Sequence, residues 1–223
     1  MVYNPSIDYS GSGMPRKTGS LISKKLPDHA NRVWKVTTAP VLEPVTVDEV
    51  KIFSKSEYEE TKEDTLLEGF ITTVRLAAEE YLGMAFIEQT IQMKMDYWSN
   101  IFICLPQPPL ISVTKICTLD EDDTETEYSS GNYYVITEGH PGKVILKKDI
   151  IAPTNTDRDY GGFFIEYKAG YGSEATDVPE SIRNGIKAWT AIVQATRVID
   201  TKNPPPEAKI FFDLYRRGTF SIR

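Results

Sequence analysis

Histidine is nearly missing from this chain of 223 residues, which has only His29 and His140. His29 lies in a proline- and glycine-punctuated N-terminal stretch and His140 in a Gly-His-Pro-Gly turn, neither beside an obvious partner. That leaves little for a Ser-His-Asp or Cys-His nucleophile or a His-rich zinc site. Cysteine is as rare. Cys104 and Cys117 both sit in apolar, strand-like runs, which reads as two reduced buried thiols, with a bridge between neighbouring strands left open. No apolar run approaches the ~20 residues of a membrane span. No basic start followed by an apolar core marks a secretory signal, so the expected compartment is a cytoplasm. Positive charge is also short: 25 Lys and Arg stand against 32 Asp and Glu, a formal net charge of −7. A protein that grips nucleic acid normally carries a basic stripe. This balance argues against one, while leaving room for a protein past which DNA slides.

What is present is organised around residues 162–199. Phe163, Ile165 and Tyr167 alternate with Phe164, Glu166 and Lys168, the period of a strand. Gly170 and Gly172 interrupt it, since glycine alone takes positive φ cheaply. Pro179 suits the first turn of a helix and Glu180 its positive end. Ile182, Ile186, Trp189, Ile192, Val193 and Thr196 then recur at spacings of three and four. A last strand therefore feeds a long amphipathic helix.

Residues 1–32 have no sustained period and lean positive, with Arg16, Lys17, Lys24 and Lys25 prominent. Such a segment cannot bury enough apolar surface to order itself, so those four cations are expected to meet a neighbouring subunit. Residues 34–44 read as extended. Thr46 with Glu49 forms a capping box, and Val45 with Val50 a hydrophobic staple, at the start of a short helix. A second, longer helix carries Leu67, Phe70, Ile71, Val74, Ala77, Ala78, Tyr81 and Leu82 on one face and ends at Gly83. Glu79 and Glu80 near that end read as solvated. Period two then takes over: Ile91, Met93, Met95 and Tyr97, then runs at 101–105, 110–119, 133–137 and 143–147 separated by turn residues. Pro204, Pro205 and Pro206 stop the long helix, and Ile210, Phe211, Leu214 and Tyr215 mark a short last one.

The order predicts an α+β fold: a four-helix bundle with an inserted antiparallel β-domain, a small sandwich or barrel, plus an extended N-terminal arm. The arm spans 1–33, the bundle 34–84 and 178–217, the insert 85–177 and a C-terminal tail 218–223. Leu67, Ile71, Val74, Ile182, Ile186 and Trp189 are the expected bundle core. No cofactor, metal or catalytic residue is predicted. Gly170 to Ala175 matches G-x-G-x-x-A after a strand, but the helix begins too late and no β-α-β unit follows. Asp120 to Asp123 resembles the start of a calcium loop, yet Glu125 and Gly131 fall where its glycine and glutamate belong. Gly142-Lys143 lacks the spacing of a phosphate loop. Paired carboxylates in a cleft would mean a hydrolase, but no spacing singles out a pair.

Four stretches, in order, resemble the head–tail connector proteins of tailed phages and gene transfer agents. They are Thr38 to Lys51; Leu105 to Val113; Tyr167 to Gly172 followed by Asp177-Val178-Pro179; and Ile210 to Arg217 with its Leu214-Tyr215-Arg216. The match covers about 34–217. It departs after Lys51, where the family often has a His-Leu-Arg-like run and this chain has Ile52-Phe53-Ser54. The resemblance implies a virion neck protein assembled in the host cytoplasm, without membrane contact, into a homo-oligomeric ring of about twelve copies under the portal. The ring would extend the DNA channel and seat a stopper or tail-terminator protein, and its acidic lumen would let DNA pass without specific binding. The tail, Gly218, Thr219, Phe220, Ser221, Ile222 and Arg223, alternates polar and apolar residues over a β-prone run and is the expected portal contact. The competing class is a binding module on a virion or cell surface, its β-domain recognising carbohydrate or receptor through an exposed aromatic platform that includes Trp98.

Overall fold

The computed structural model describes residues 32–55, 63–98, 102–153, 158 and 160–216. The cationic arm positions and the tail 218–223 lie outside them. The fold is α+β, with four helices and two antiparallel sheets among the described residues.

The first helix, α1 (Val47–Ser54), starts where local chemistry tells it to. Thr46 Oγ1 accepts from the Glu49 amide at 3.2 Å, and the Thr46 amide donates to Glu49 Oε2 at 2.8 Å. Val45 and Val50 are both buried, closing the staple. Helix α2 (Asp64–Leu82) ends on Gly83 in the left-handed region at φ 64°. Helix α3 (Glu180–Thr196) follows Pro179, and α4 (Pro206–Phe212) starts inside the proline run. Helices α1, α2 and α4 all pack on α3. Leu67, Ile71, Val74, Ile182, Ile186 and Trp189 are buried in one cluster, joined by Phe86, Ile87, Ala208 and Phe212.

Of the four apolar residues that mark the last helix, Phe211 and Tyr215 pack against the helical core. Ile210 and Leu214 are 70% and 76% exposed, whereas Ala208 and Phe212 are buried. The reason lies on α3. A Cβ added to Gly185 would come within 2.5 Å of the Phe212 ring, so the glycine is the seat into which that ring fits. Trp189 and Tyr81 flank the ring, with centroids 6.2 and 6.4 Å away.

The larger sheet runs β1 (Arg32–Thr38), β2 (Gln89–Met95), β8 (Phe163–Ala169), β4 (Leu110–Leu119), β5 (Glu125–Glu127). The smaller runs β3 (Phe102–Cys104), β7 (Lys143–Leu146), β6 (Tyr133–Ile136). Residues 34–38, expected only as an extended run ahead of the first helix, are part of β1, which pairs with β2, so the sheet takes its first edge strand from ahead of the helices. Strand β2 ends at Met95, and Tyr97 beyond it is 45% exposed. Ile91, Met93, Ile165, Tyr167, Leu110 and Ile116 face Ile103, Val144 and Tyr133 across one shared core, so the sheets pack as a small sandwich. On the other face of the larger sheet, Phe164 is buried with Cys117 and Leu119. Cys104 and Cys117 are free thiols, and burial pushes the Cys117 thiol up, which keeps it protonated and inert.

Candidate functional site

The segment between α2 and β2 is where the helical and sheet layers join, and two of the stretches that carry the resemblance, Leu105 to Val113 and Tyr167 to Gly172, converge on it. The Ala85 amide donates to the Pro108 carbonyl at 2.9 Å, and the Gly170 amide to the Pro109 carbonyl at 2.9 Å. Tyr171 donates to the Phe86 carbonyl at 2.9 Å, and Glu88 to that of Gly172 at 2.8 Å. From inside the sandwich the Tyr167 hydroxyl reaches the Pro106 carbonyl at 2.9 Å; burial drives its proton affinity up, so it stays a donor.

Gly170 is fixed here for two reasons. Its φ is 131°, and a Cβ would stand 2.6 Å from the Ile87 carbonyl. Gly170→Ala is therefore expected to cost about 2 kcal/mol. Urea unfolding checks it: a variant with the wild-type midpoint would mean that the junction relaxes around the methyl group. A Cβ on Gly172 would clash with the Asp177 carboxylate, whose oxygen accepts from the Glu174 amide at 3.0 Å. The G-x-G-x-x-A match is thus a packing device between strand and helix.

A buried polar latch holds the same junction. Arg75 Nε donates to Glu43 at 2.7 Å and its NH1 to Glu79 at 2.8 Å. The second Glu79 oxygen accepts the Phe86 amide at 2.9 Å, and Thr72 donates to Glu43 at 2.9 Å. Glu79 is 7% exposed, not solvated as its place at the helix end implies; burial pushes its carboxyl above the usual range, while Arg75 and the Phe86 amide pull it back. Sequence reasoning missed this set because Glu43, Arg75 and Glu79 belong to two separate segments. The i, i+4 spacing of Arg75 and Glu79 was the available signal. On the opposite side, Arg183 of α3 donates to the Pro44 carbonyl at 2.9 Å and to the capping carboxylate of Glu49. Hydrogen bonding from Lys187, helped by Arg183, holds the Glu180 carboxyl below its usual range.

The other sequence candidates have structural roles. The Asp120 carboxylate accepts from the Asp122 and Thr124 amides at 3.0 and 2.8 Å, closing the β4–β5 turn, and Asp123 pairs with Arg158. Among the described residues no three His, Cys, Asp or Glu side chains gather as a metal site. A Cβ on Gly142 would strike Leu110. His140 is exposed in its turn, and His29 lies outside the described residues. Trp98 is half-buried against the sandwich core and tilts on Tyr128 at 6.3 Å, so it is a packing residue rather than a free platform. Among the described residues no helix is long and apolar enough to cross a membrane.

What the molecule offers outward is surface. Across the small sheet, Phe102 and Tyr134 both stand opposite Ile145, and the two rings are 41% and 56% exposed beneath the Lys143 and Lys147 ammoniums. A second apolar surface joins α1, α3 and α4 through Phe53, Ile192, Ala195 and Phe211. The third consists of the two edges of the larger sheet, β1 and β5, which are open among the described residues.

No family model and no curated protein matches the sequence. Solved structures do share the fold. A chain from the neck of an empty gene transfer agent (GTA) particle, computed with C6 symmetry, superposes with a TM-score of 0.71 at 17% identity, covering 82% of this chain and 95% of that one. A chain from the virion of a native GTA particle gives 0.66 at 17% identity, with the same coverage of 82% and 95%. One from the neck of a native GTA particle, computed with C12 symmetry, gives 0.62 at 15% identity over 80% and 94%. At that identity the likeness establishes the fold.

Proposed function

We propose that this chain is a structural head–tail connector, the adaptor in the neck of a tailed-phage-like particle. It forms a homo-oligomeric ring of about twelve copies beneath the portal, extends the DNA channel without binding DNA specifically, and seats a stopper or tail-terminator protein. It uses no cofactor and performs no catalysis. The observation that carries the reading is the end-to-end correspondence of fold, 82% of this chain with 95% of a chain from a GTA neck. Two of the sequence stretches resembling the connector family support it separately, because they build the helix–sheet junction: the Pro106–Pro109 loop and the Gly170 turn.

In this reading the helices act as a four-helix bundle, the cations Arg16, Lys17, Lys24 and Lys25 meet a neighbouring subunit, and Gly218 to Arg223 contact the portal. The tail would add a strand to an exposed portal edge, with Phe220 and Ile222 filling pockets. Electron microscopy of the purified protein, alone and mixed with portal, tests the ring. Deleting 218–223 should leave the melting temperature unchanged and abolish portal binding. Wild-type affinity after that truncation would move the contact elsewhere.

A second reading has one observation of its own, the exposed Phe102–Ile145–Tyr134 row on the small sheet. Aromatic surface of this kind suits a surface-binding module that takes carbohydrate or a receptor. The portal experiment separates the two: a module of that class forms no ring and ignores portal.

A further inference from the structure

Among the described residues the larger sheet ends in two open edges of opposite character. One is β1, exposed along nearly its whole length, with Lys35 at its middle. The other is β5, Glu125-Thr126-Glu127, all exposed and adjoining the acidic turn at 120–123. Register carried across the sheet tells which side chains share a face. Val33 stands opposite Lys94, Lys94 opposite Phe164, Phe164 opposite Cys117, and Cys117 opposite Glu127. Side chains alternate along a strand, so Lys35 lies on the same face as Val33, Glu127 and Glu125, away from the sandwich core. Trp34 and Val36, opposite Met93 and Ile91, take the core-facing side, yet they stay 42% and 41% exposed.

An open edge is a template for another strand, and proteins restrain it with charge. Here charge discourages only like with like. Two β5 edges brought together set glutamate against glutamate, and two β1 edges set Lys35 against Lys35. Unlike edges attract. We infer that β1 of one copy docks along β5 of the next, placing Lys35 against Glu127 and Glu125 and covering Trp34 and Val36. Glu125 is already paired with Lys115 at 2.5 Å, so Glu127 is the first partner of Lys35. Because the two edges differ, the contact is heterologous, and repeated from copy to copy it either closes into a ring or runs on as a filament. The inference rests on the ring reading above and names the surface through which that ring closes. Strand β5 is short, so the exposed charge pairs set the selectivity of the contact, and added salt weakens it.

Sedimentation velocity on the full chain tests this over a concentration series at low and high salt. Lys35→Glu and Glu127→Lys should each weaken self-association about tenfold or more. The double variant should recover it, and so should an equimolar mixture of the two single variants, whose unlike edges match in alternation. Both side chains are exposed, so melting temperatures should stay at wild type; Lys35→Gln and Glu127→Gln give a smaller loss should a reversal disturb folding. Three results overturn the assignment: a wild type that is monomeric at every concentration, a Glu127→Lys variant that associates like wild type, or a double variant no better than the singles. Microscopy keeps the two readings apart. Closed rings that ignore these charges would retain the connector and remove the edge contact, whereas open filaments that obey them would retain the contact and remove the ring.

Discussion

Ile186→Asp should lose at least ~3 kcal/mol of folding stability, because it buries a carboxylate with nothing to pair it. Ile186 has no exposed surface and belongs to the cluster formed by Leu67, Ile71, Val74, Ile182, Trp189 and Phe212. The nearest cations along α3 are committed: Arg183 holds Glu180 at 2.7 Å and the capping Glu49, and Lys187 holds Glu180 at 3.0 Å. For a domain of this size each kcal/mol moves the melting temperature by about 2–4 °C, so a fall of order 6–12 °C is expected by circular dichroism, or no folded protein at all. Ile186→Ala, which leaves a cavity and no charge, should cost less, about 2–4 kcal/mol. A soluble Asp variant that melts at the wild-type temperature would remove Ile186 from the core.

The helices were legible because their signals are local. A capping box, a staple and a terminal glycine act within four or five residues, and the structure shows α1 and α2 bounded by them. Strand β2 and the second half of β8 were legible for the same reason, since burial on one face imposes period two on the sequence. What escaped was set by partners far along the chain. Residues 32–38 form a sheet edge only because β2, more than fifty positions later, offers its backbone. Strand β5 has no apolar period at all: Glu125-Thr126-Glu127 is a strand through its pairing with β4 alone. The deepest anchor of α4 escaped notice: Phe212 has a seat at Gly185, and a glycine inside a helix reads as a weakness until the ring that fills it is seen. Glu79 read as solvated because a helix end is usually wet, and this one is folded under the junction.

That last residue sets the second large effect, which turns on pH. Arg75→Ala should cost about 3–5 kcal/mol near pH 8, since it leaves the Glu79 carboxylate buried without its cation. In the native protein burial already pushes the Glu79 carboxyl above its usual range, and Arg75 is the strongest influence pulling it back. The sign of the pH dependence follows. With the folded value above the unfolded one, the folded state holds more protons between the two. The contribution of Glu79 is then fully present below the ordinary carboxylate range and is lost as pH rises through the raised value. Removing Arg75 raises that value further and widens the window. At pH 8 the variant must bury a lone charge or take up a proton to fold; toward pH 4 Glu79 is protonated in the folded variant and mostly so in the unfolded chain, and the penalty shrinks. Urea unfolding at the two pH values measures this directly: the loss caused by Arg75→Ala should be clearly greater at pH 8. Adding Glu79→Gln to the Arg75→Ala variant should flatten the difference, because the amide still accepts the Phe86 amide hydrogen and has no proton to gain. An equal loss at both pH values would mean that Arg75 stabilises the junction by packing alone, through the methylene stem that it lays along the helix layer.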